Sequence, residues 1–312
     1  MDVIRYPDDE RPGAWEAPVL ALGNFDGMHR GHMAIIERVR RSAAERRATP
    51  VVLTFDPHPT RIVRPDKAPR VLMTQAQKLE VLEEAGIEGV AVVRFTSELS
   101  RWEPETFVRN VLVDWMRVAA VWVGDGFLFG RDRTGTFAVL HALGAKYGFE
   151  AGRIEPVSVD GTPVSSTRVR RLIAEGRVDR AAALLGRRYY IDADVIRGDG
   201  RGRQMGFPTA NLLTVNEVLP AEGVYAAFVR AGQAAYPAVV NLGRRPTFEA
   251  AGAVSMETHL LNVTMDLYDS RLRLYFVQRL REERTFESAG ALARQIAQDC
   301  QEAEALLGRV SV

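Results

Sequence analysis

One change of hydrophobic period, close to residue 186, constrains this chain more than any other feature. Before it, short β-type runs alternate with helical ones. PVLALGNF (18–25), VVLTF (51–55), VAVVRF (90–95) and AAVWVG (119–124) read as strands. Helical patterns fill 32–47, 76–86, 104–117 and 136–147, the third opening on Pro104 and Glu105, residues suited to a first helical turn. Strand, helix, strand at this spacing makes βαβ units and therefore a parallel, doubly wound sheet. After the change, helical patterning stops until 287–308. YYIDADVIRG, GVYAAFVRAG, AAYPAVVNLG, METHLLN and LRLYFVQRL read as short strands, with GQ at 232–233 placed to turn a hairpin. Antiparallel strands closed by one helix imply a small barrel or sandwich. The expected architecture is α/β plus β. It has a doubly wound parallel-sheet domain over 1–186 and a small antiparallel β-barrel with a terminal helix over 187–312.

Composition removes several function classes. A length of 312 residues suits about two domains. Apolar residues make up 46% and charged residues 26%, values that suit a globular core. The formal net charge is +1, so no overall field draws the chain to nucleic acid or to a membrane. Cys300 is the sole cysteine, which excludes an internal disulfide and a thiolate metal cluster. The lysines are Lys67, Lys78 and Lys146, and none lies in a GxxxxGK[ST] loop. The N-terminal MDVIRYPDDERPGAW has no apolar signal segment, and no run approaches the roughly 20 apolar residues of a membrane span. A cytoplasmic protein without nucleic-acid or membrane partners is expected. Nothing in the sequence specifies an oligomeric state.

The first chemical signal is GNFDGMHRGH at 23–32, between a strand and a helix. In doubly wound sheets, ligands bind beyond the carboxyl ends of the strands. The turns GNFDGMHRGH, DPHP and GDGFLFG follow three of the strands and so share that edge. A helix N-terminus offers unpaired N–H groups and partial positive charge, which suit phosphate. Gly23, Gly27 and Gly31 let the backbone approach a ligand, and His29 and His32 can donate to a phosphate gaining charge in a transition state. The plain alternative is a glycine turn with one buried and one exposed histidine. A second helix start, SSTRVR at 165–170, adds hydroxyls and Arg170. Alone it is a capping signal before a basic helix face.

The second half has its own cluster. GDGRGRQMGFPTAN at 198–211 is glycine-rich enough to wrap phosphates with backbone N–H groups, and it ends in two hard oxygen donors, Thr209 and Asn211, of the kind Mg²⁺ accepts. Glu257, in the strand-like SMETHLL, can serve as a base for an attacking hydroxyl. The alternatives are a surface hairpin and a solvated strand position.

Taken together, these segments resemble a family. GNFDGMHRGH with SSTRVR is similar to the nucleotidyltransferase superfamily. With TFDPHP at 54–59 and GDGFLFG at 124–130, it resembles the adenylyltransferase half of prokaryotic bifunctional riboflavin kinase/FAD synthetases. GDGRGRQMGFPTAN, NLGRRPTF, METHLL and DLYDSRLRLYFVQRLREERTF, in that order, resemble the riboflavin kinase half. The resemblance implies that riboflavin is phosphorylated by ATP to FMN in the C-terminal domain. FMN is then adenylylated by a second ATP in the N-terminal domain, with release of pyrophosphate. Both steps would use Mg²⁺ or another divalent cation.

The resemblance also implies roles. His29, His32 and Arg170 are catalytic in adenylyl transfer. Gly23, Asn24, Phe25, Asp26 and Gly31 line the nucleotide, and Ser165, Ser166, Thr167 and Arg170 hold the β- and γ-phosphates. Asp56, His58, Phe127 and Phe129 lie near the adenine or flavin. In the kinase half, Glu257 is the general base, Thr209 and Asn211 organise the metal, Gly198, Gly202, Gly206 and Thr209 contact the nucleotide, and Arg281 meets the flavin.

The chain departs from the family pattern at Gly126, Ala193, Asn262 and Asp269. Gly126 stands where the family has an acid or amide and bears on the flavin contact, not on the phosphate chemistry; the other three remove no implied ligand. Gly126 and Asp269 leave open an enzyme with one working step. Two further alternatives are a transferase with another phosphate acceptor and a flavin- or RNA-binding regulator without catalysis.

Overall fold

Trp122 and its neighbour Val121 point to opposite faces of one sheet, and each meets a different set of helices. That alternation is the signature of a strand covered on both sides. The computed structural model describes residues 1–197, 206–244, 254–263 and 265–310. It divides into two compact units, Met1–Ser165 and Ser166–Val312.

The first unit contains β1 (Asp2–Tyr6), β2 (Val19–Leu22), α1 (Arg30–Arg46), β3 (Pro50–Asp56), α2 (Pro59–Val63), α3 (Gln75–Glu84) and β4 (Gly89–Arg94). There follow α4 (Pro104–Phe107), continued by a π-helical stretch Val108–Trp115, then β5 (Ala120–Gly124), α5 (Phe137–Tyr147) and β6 (Glu150–Ile154). A small hairpin pairs β7 (Ser158–Val159) with β8 (Thr162–Pro163). The six main strands are parallel in the order β1-β4-β3-β2-β5-β6. On one face, Leu20, Leu22, Leu53, Val93 and Val121 pack with Phe107, Leu112 and Leu140. On the other, Val19, Ala21, Val52, Val90 and Trp122 pack with Ile36, Val39 and Leu82. The chain leaves β2 toward β3 on one side, and β5 takes the other, so the topological switch lies between β2 and β5. A ligand crevice belongs beyond their carboxyl ends.

The second unit opens with α6 (Ser166–Ala174) and α7 (Val178–Leu185). A closed barrel follows, in the order β10-β13-β12-β11-β14-β9. Its strands are β9 (Tyr190–Ile196), β10 (Ala210–Thr214), β11 (Gly223–Ala231), β12 (Ala234–Arg244), β13 (Val254–Leu260) and β14 (Arg271–Arg281), and α8 (Ala289–Leu307) ends the element order. Gly232, at φ +60°, starts the two-residue β11–β12 hairpin expected at GQ. Ala303 and Leu307 of α8 pack on Val224, Ala226, Phe228 and Val239, so these four lie on the outer barrel surface.

The sequence places a domain boundary near 186, where helical patterning ends. The packing divides at Ser165/Ser166 instead, because α6 and α7 join the second unit, α7 against β14. Five strands lie outside the sequence reading: β1, β6, β10 and the two-residue strands β7 and β8. The first two are sheet edges with little buried apolar surface, and β10 was read as part of the glycine-rich loop.

Candidate active sites

The β2–α1 turn is held by its own backbone. Gly27 has φ +82°, and a Cβ there would meet Leu72 Cδ1 at 2.5 Å. Phe25 (φ +50°) and Met28 (φ +41°) occupy the left-handed region although both are buried side chains. Non-glycine residues enter that region at a cost, and such costs gather at functional sites. Leu72 N–H donates to Asp26 Oδ1 at 2.9 Å, fixing a carboxylate that is 4% exposed.

The turn delivers His29 to the N-cap of α1. His32 N–H donates to His29 Nδ1 at 3.3 Å, which assigns the proton of a neutral His29 to Nε2. The two imidazoles stack at 3.6 Å with planes 14° apart, and the Phe25 ring meets His32 edge-on at 5.3 Å. A Cβ on Gly31 would come within 3.2 Å of the His29 ring, so a side chain there would press on the stack. The structure thus gathers Gly23, Asn24, Phe25, Asp26, His29, Gly31 and His32 into one strand-to-helix turn.

Two neighbouring strand ends share this edge. Asp56 ends β3 and is exposed, and His58 caps α2 by accepting from Thr60 N–H at 3.3 Å. Beyond β5, Phe127 and Phe129 stack at 5.6 Å. Phe129 is 7% exposed and belongs to the core, leaving Phe127 as the half-buried ring. Gly126 has φ +72° with open space around it. Ser165 closes the first unit, while Ser166, Thr167 and Arg170 lie on the first turns of α6, in the second; Ser165 and Thr167 are exposed, and Ser166 and Arg170 half-buried.

Sequence reasoning missed Lys78. It is buried on α3, and its Nζ donates to the Asn24 carbonyl at 2.9 Å. Burial pushes its pKa below the ordinary lysine value, while Asp26 and then Asp56 pull it back up. The only signal in the sequence was the scarcity of lysine.

The barrel site is a row of side chains. Glu257 on β13 stands directly opposite Asn211 on β10 and Asn241 on β12. Directly opposed residues share a face, so all three project together. That face is the outer one, because His259, two residues beyond Glu257, pairs with the outward Val239. Asn211 is 9% exposed, and Glu257 and Asn241 are half-buried. Thr209 precedes β10 by one residue and shares the side of Asn211 by the two-residue strand repeat. His259 Nδ1 lies 2.8 Å from the Pro208 carbonyl, so the ring donates there and ties the PTAN segment to β13. Asn241 and His259 were not anticipated, because cross-strand register is invisible in one sequence.

Arg281 is already engaged. Its Nε and Nη2 donate to both oxygens of Asp299 on α8, at 2.8–3.0 Å, and the Asp299 side chain is 3% exposed. Gly206 is exposed with φ +85°. Gly198 and Gly202 lie outside the described residues, as does the RPTF part of NLGRRPTF. Asp269 has φ +58° and Asn262 φ +57°, both left-handed positions that Asp and Asn tolerate better than most residues. Ala193 is a buried strand residue of β9.

A sheet of this topology with phosphate-type groups at its switch point, followed by a closed barrel, defines a nucleotide-using transferase. A family model for FAD synthetase matches residues 12–168, and one for riboflavin kinase matches 185–307. The chain is 37% identical over 300 residues to an Escherichia coli (strain K12) protein named bifunctional riboflavin kinase/FMN adenylyltransferase, covering 96% of each. It is 40% identical to the Pseudomonas fluorescens protein of that name, covering 98% of each. The chain belongs to the bifunctional riboflavin kinase/FMN adenylyltransferase family, with a FAD synthetase domain in its N-terminal part and a riboflavin kinase domain in its C-terminal part. A solved structure titled macrolide-efflux protein, from Streptococcus pneumoniae, is similar with TM-score 0.89 and 26% identity over 97% of this chain and 99% of that one. Among the described residues, no helix is long and apolar enough to cross a membrane.

Proposed function

We propose that this one chain carries out both steps, riboflavin to FMN and FMN to FAD, with ATP as donor each time. The observation that carries the reading is the His29–His32 stack at the N-terminus of α1, on the ligand-binding edge of the sheet. In adenylyl transfer, a phosphate oxygen of FMN attacks the α-phosphorus of ATP, and the bond to the pyrophosphate oxygen breaks. The attacking group is already an anion, so no base is required. The work is positioning and the stabilisation of charge on the α-phosphate. His29 Nε2–H, His32 and the N–H groups of α1 supply the donors. Gly23, Asn24, Phe25, Asp26 and Gly31 shape the nucleotide site. Ser165, Ser166, Thr167 and Arg170 hold the β- and γ-phosphates, and Asp56, His58 and Phe127, backed by Phe129, line the base or flavin. On this reading the adenylyltransferase sequence runs to about 186, although α6 and α7 pack with the second unit.

In the kinase step the acceptor is an alcohol, which must lose a proton. Glu257 takes the proton of the riboflavin 5′-hydroxyl as its oxygen attacks the γ-phosphorus and ADP leaves. A magnesium ion fits the donors present. Thr209 and Asn211 offer two hard oxygens on one side of an extended segment, and among the described residues no cluster of three His, Cys, Asp or Glu side chains forms a protein cage. Mg²⁺ commonly takes few protein ligands and completes its shell with phosphates and water. When bound, the ion neutralises developing phosphate charge. Gly198, Gly202 and Gly206 cover the nucleotide. Arg281, held by Asp299, orders the flavin side rather than reaching freely for it.

A product time course tests the reading. With riboflavin, ATP and Mg²⁺, FMN appears first and then converts to FAD. FMN alone would mean a silent first domain, with Gly126 the first suspect. No product, even from added FMN, would favour a flavin-binding regulator.

A further inference from the structure

Lys78 is 8% exposed on the buried face of α3, beside Gln77, Val81 and Leu82. Its Nζ donates to the Asn24 carbonyl at 2.9 Å and to Thr54 Oγ1 at 3.4 Å. Thr54 Oγ1 donates to the same carbonyl at 3.2 Å. Two donors from two elements, α3 and β3, therefore converge on one oxygen of the β2–α1 turn. The charged groups facing the ammonium are Asp26 and Asp56. Burying an ammonium is costly, and well-packed apolar residues often serve stability as well or better. Satisfying the Asn24 carbonyl does not require Lys78, because that oxygen already has the Thr54 hydroxyl.

We propose that Lys78 is a positioning residue of adenylyl transfer: it anchors the Asn24 carbonyl and thereby sets the turn that carries Asp26 and His29. The inference rests on the reading that this turn holds ATP. Lys78 itself touches neither substrate nor metal in this scheme.

The test uses the full chain with Lys78→Met, Lys78→Arg and, as a reference, the double variant His29→Ala/His32→Ala. Three quantities are read: FAD formation from FMN and ATP, FMN formation from riboflavin, and Tm. Lys78→Met is expected to lose about a hundredfold in kcat for FAD formation, the scale of a misplacement of about 1 Å. KM for ATP shifts by less than about threefold, because the loss falls on the transition state. FMN formation stays at the wild-type rate, and Tm stays equal or rises. Lys78→Arg, which keeps a donor and the charge, recovers at least about tenfold of the loss. Wild-type kcat in Lys78→Met, beside an inactive histidine variant, overturns this proposal alone. An active histidine variant overturns the reading of the turn itself. A fall in Tm with matching loss of activity and no recovery in Lys78→Arg reduces Lys78 to packing and also overturns the proposal.

Discussion

On the function proposed above, the two candidate sites handle the same nucleotide with different materials. The site at the β2–α1 turn is made of backbone: a glycine at φ +82°, two strained buried residues and a helix N-terminus carry the histidines. The site on the barrel is made of side chains in register across three strands, Asn211, Glu257 and Asn241. The acceptors explain the contrast. A phosphate arrives ionised and asks for donors, which backbone supplies well. An alcohol arrives protonated and asks for a base, which only a side chain supplies. A backbone change in the β2–α1 turn is therefore expected to cost the first site, and a changed carboxylate on the barrel face the second.

Substitutions that separate the two steps break or sharpen this contrast. The largest effect is expected from His29→Ala/His32→Ala. Removing two transition-state donors together costs FAD formation on the order of 10⁴-fold, with FMN formation intact. Equal loss of both steps in a folded variant would falsify the assignment. Next, Glu257→Gln lowers FMN formation about 10³-fold while FAD is still made from supplied FMN. A kinase rate within about tenfold of wild type would remove Glu257 as the base.

Stability effects are smaller. Asp299→Ala strands the Arg281 guanidinium and destabilises the barrel by about 3 kcal/mol, measured by urea unfolding, with adenylyl transfer unaffected. Gly27→Ala forces a Cβ against Leu72 at positive φ and costs about 2 kcal/mol, read in the unfolding of the first unit.

The smallest effect is in alkali. Burial pushes the Tyr225 hydroxyl up to about 12, with Arg279 pulling the other way. The native state then keeps a proton that the unfolded chain releases above its ordinary value of 10.0. The associated stability is intact below pH 10 and is lost as pH rises toward about 12. Tyr225→Phe flattens that decline, and an unchanged pH dependence would exclude Tyr225 as its source.

Much of this plan was legible in the sequence where burial is complete. VLAL, PVVLTFD and AVWVG are central strands, so their apolar runs announce them. The turn 23–32 was legible because glycines and histidines rarely crowd a strand-to-helix junction without purpose. What escaped had no local pattern. The ANLLT strand hid behind a glycine-rich run, and its pairing with Glu257 spans 46 positions, from Asn211 to Glu257. Asp299 finds Arg281 only because α8 folds back on the barrel. The boundary near 186 marks where helical patterning ends, but packing follows surface complementarity, and α6 and α7 chose the barrel side.

The closed barrel has no free strand edge, whereas the parallel sheet ends in β1 and β6. Those two carry Asp2 and Arg5, and Glu150 and Arg153, on strands with hardly a buried residue. Charge on an edge strand discourages another chain from docking there in β pairing. The same polarity that hid β1 and β6 from sequence reading therefore protects a crowded solution of this protein from sticking edge to edge. Replacing Arg5 and Arg153 with valine would make those strands easier to recognise and the protein harder to keep dissolved.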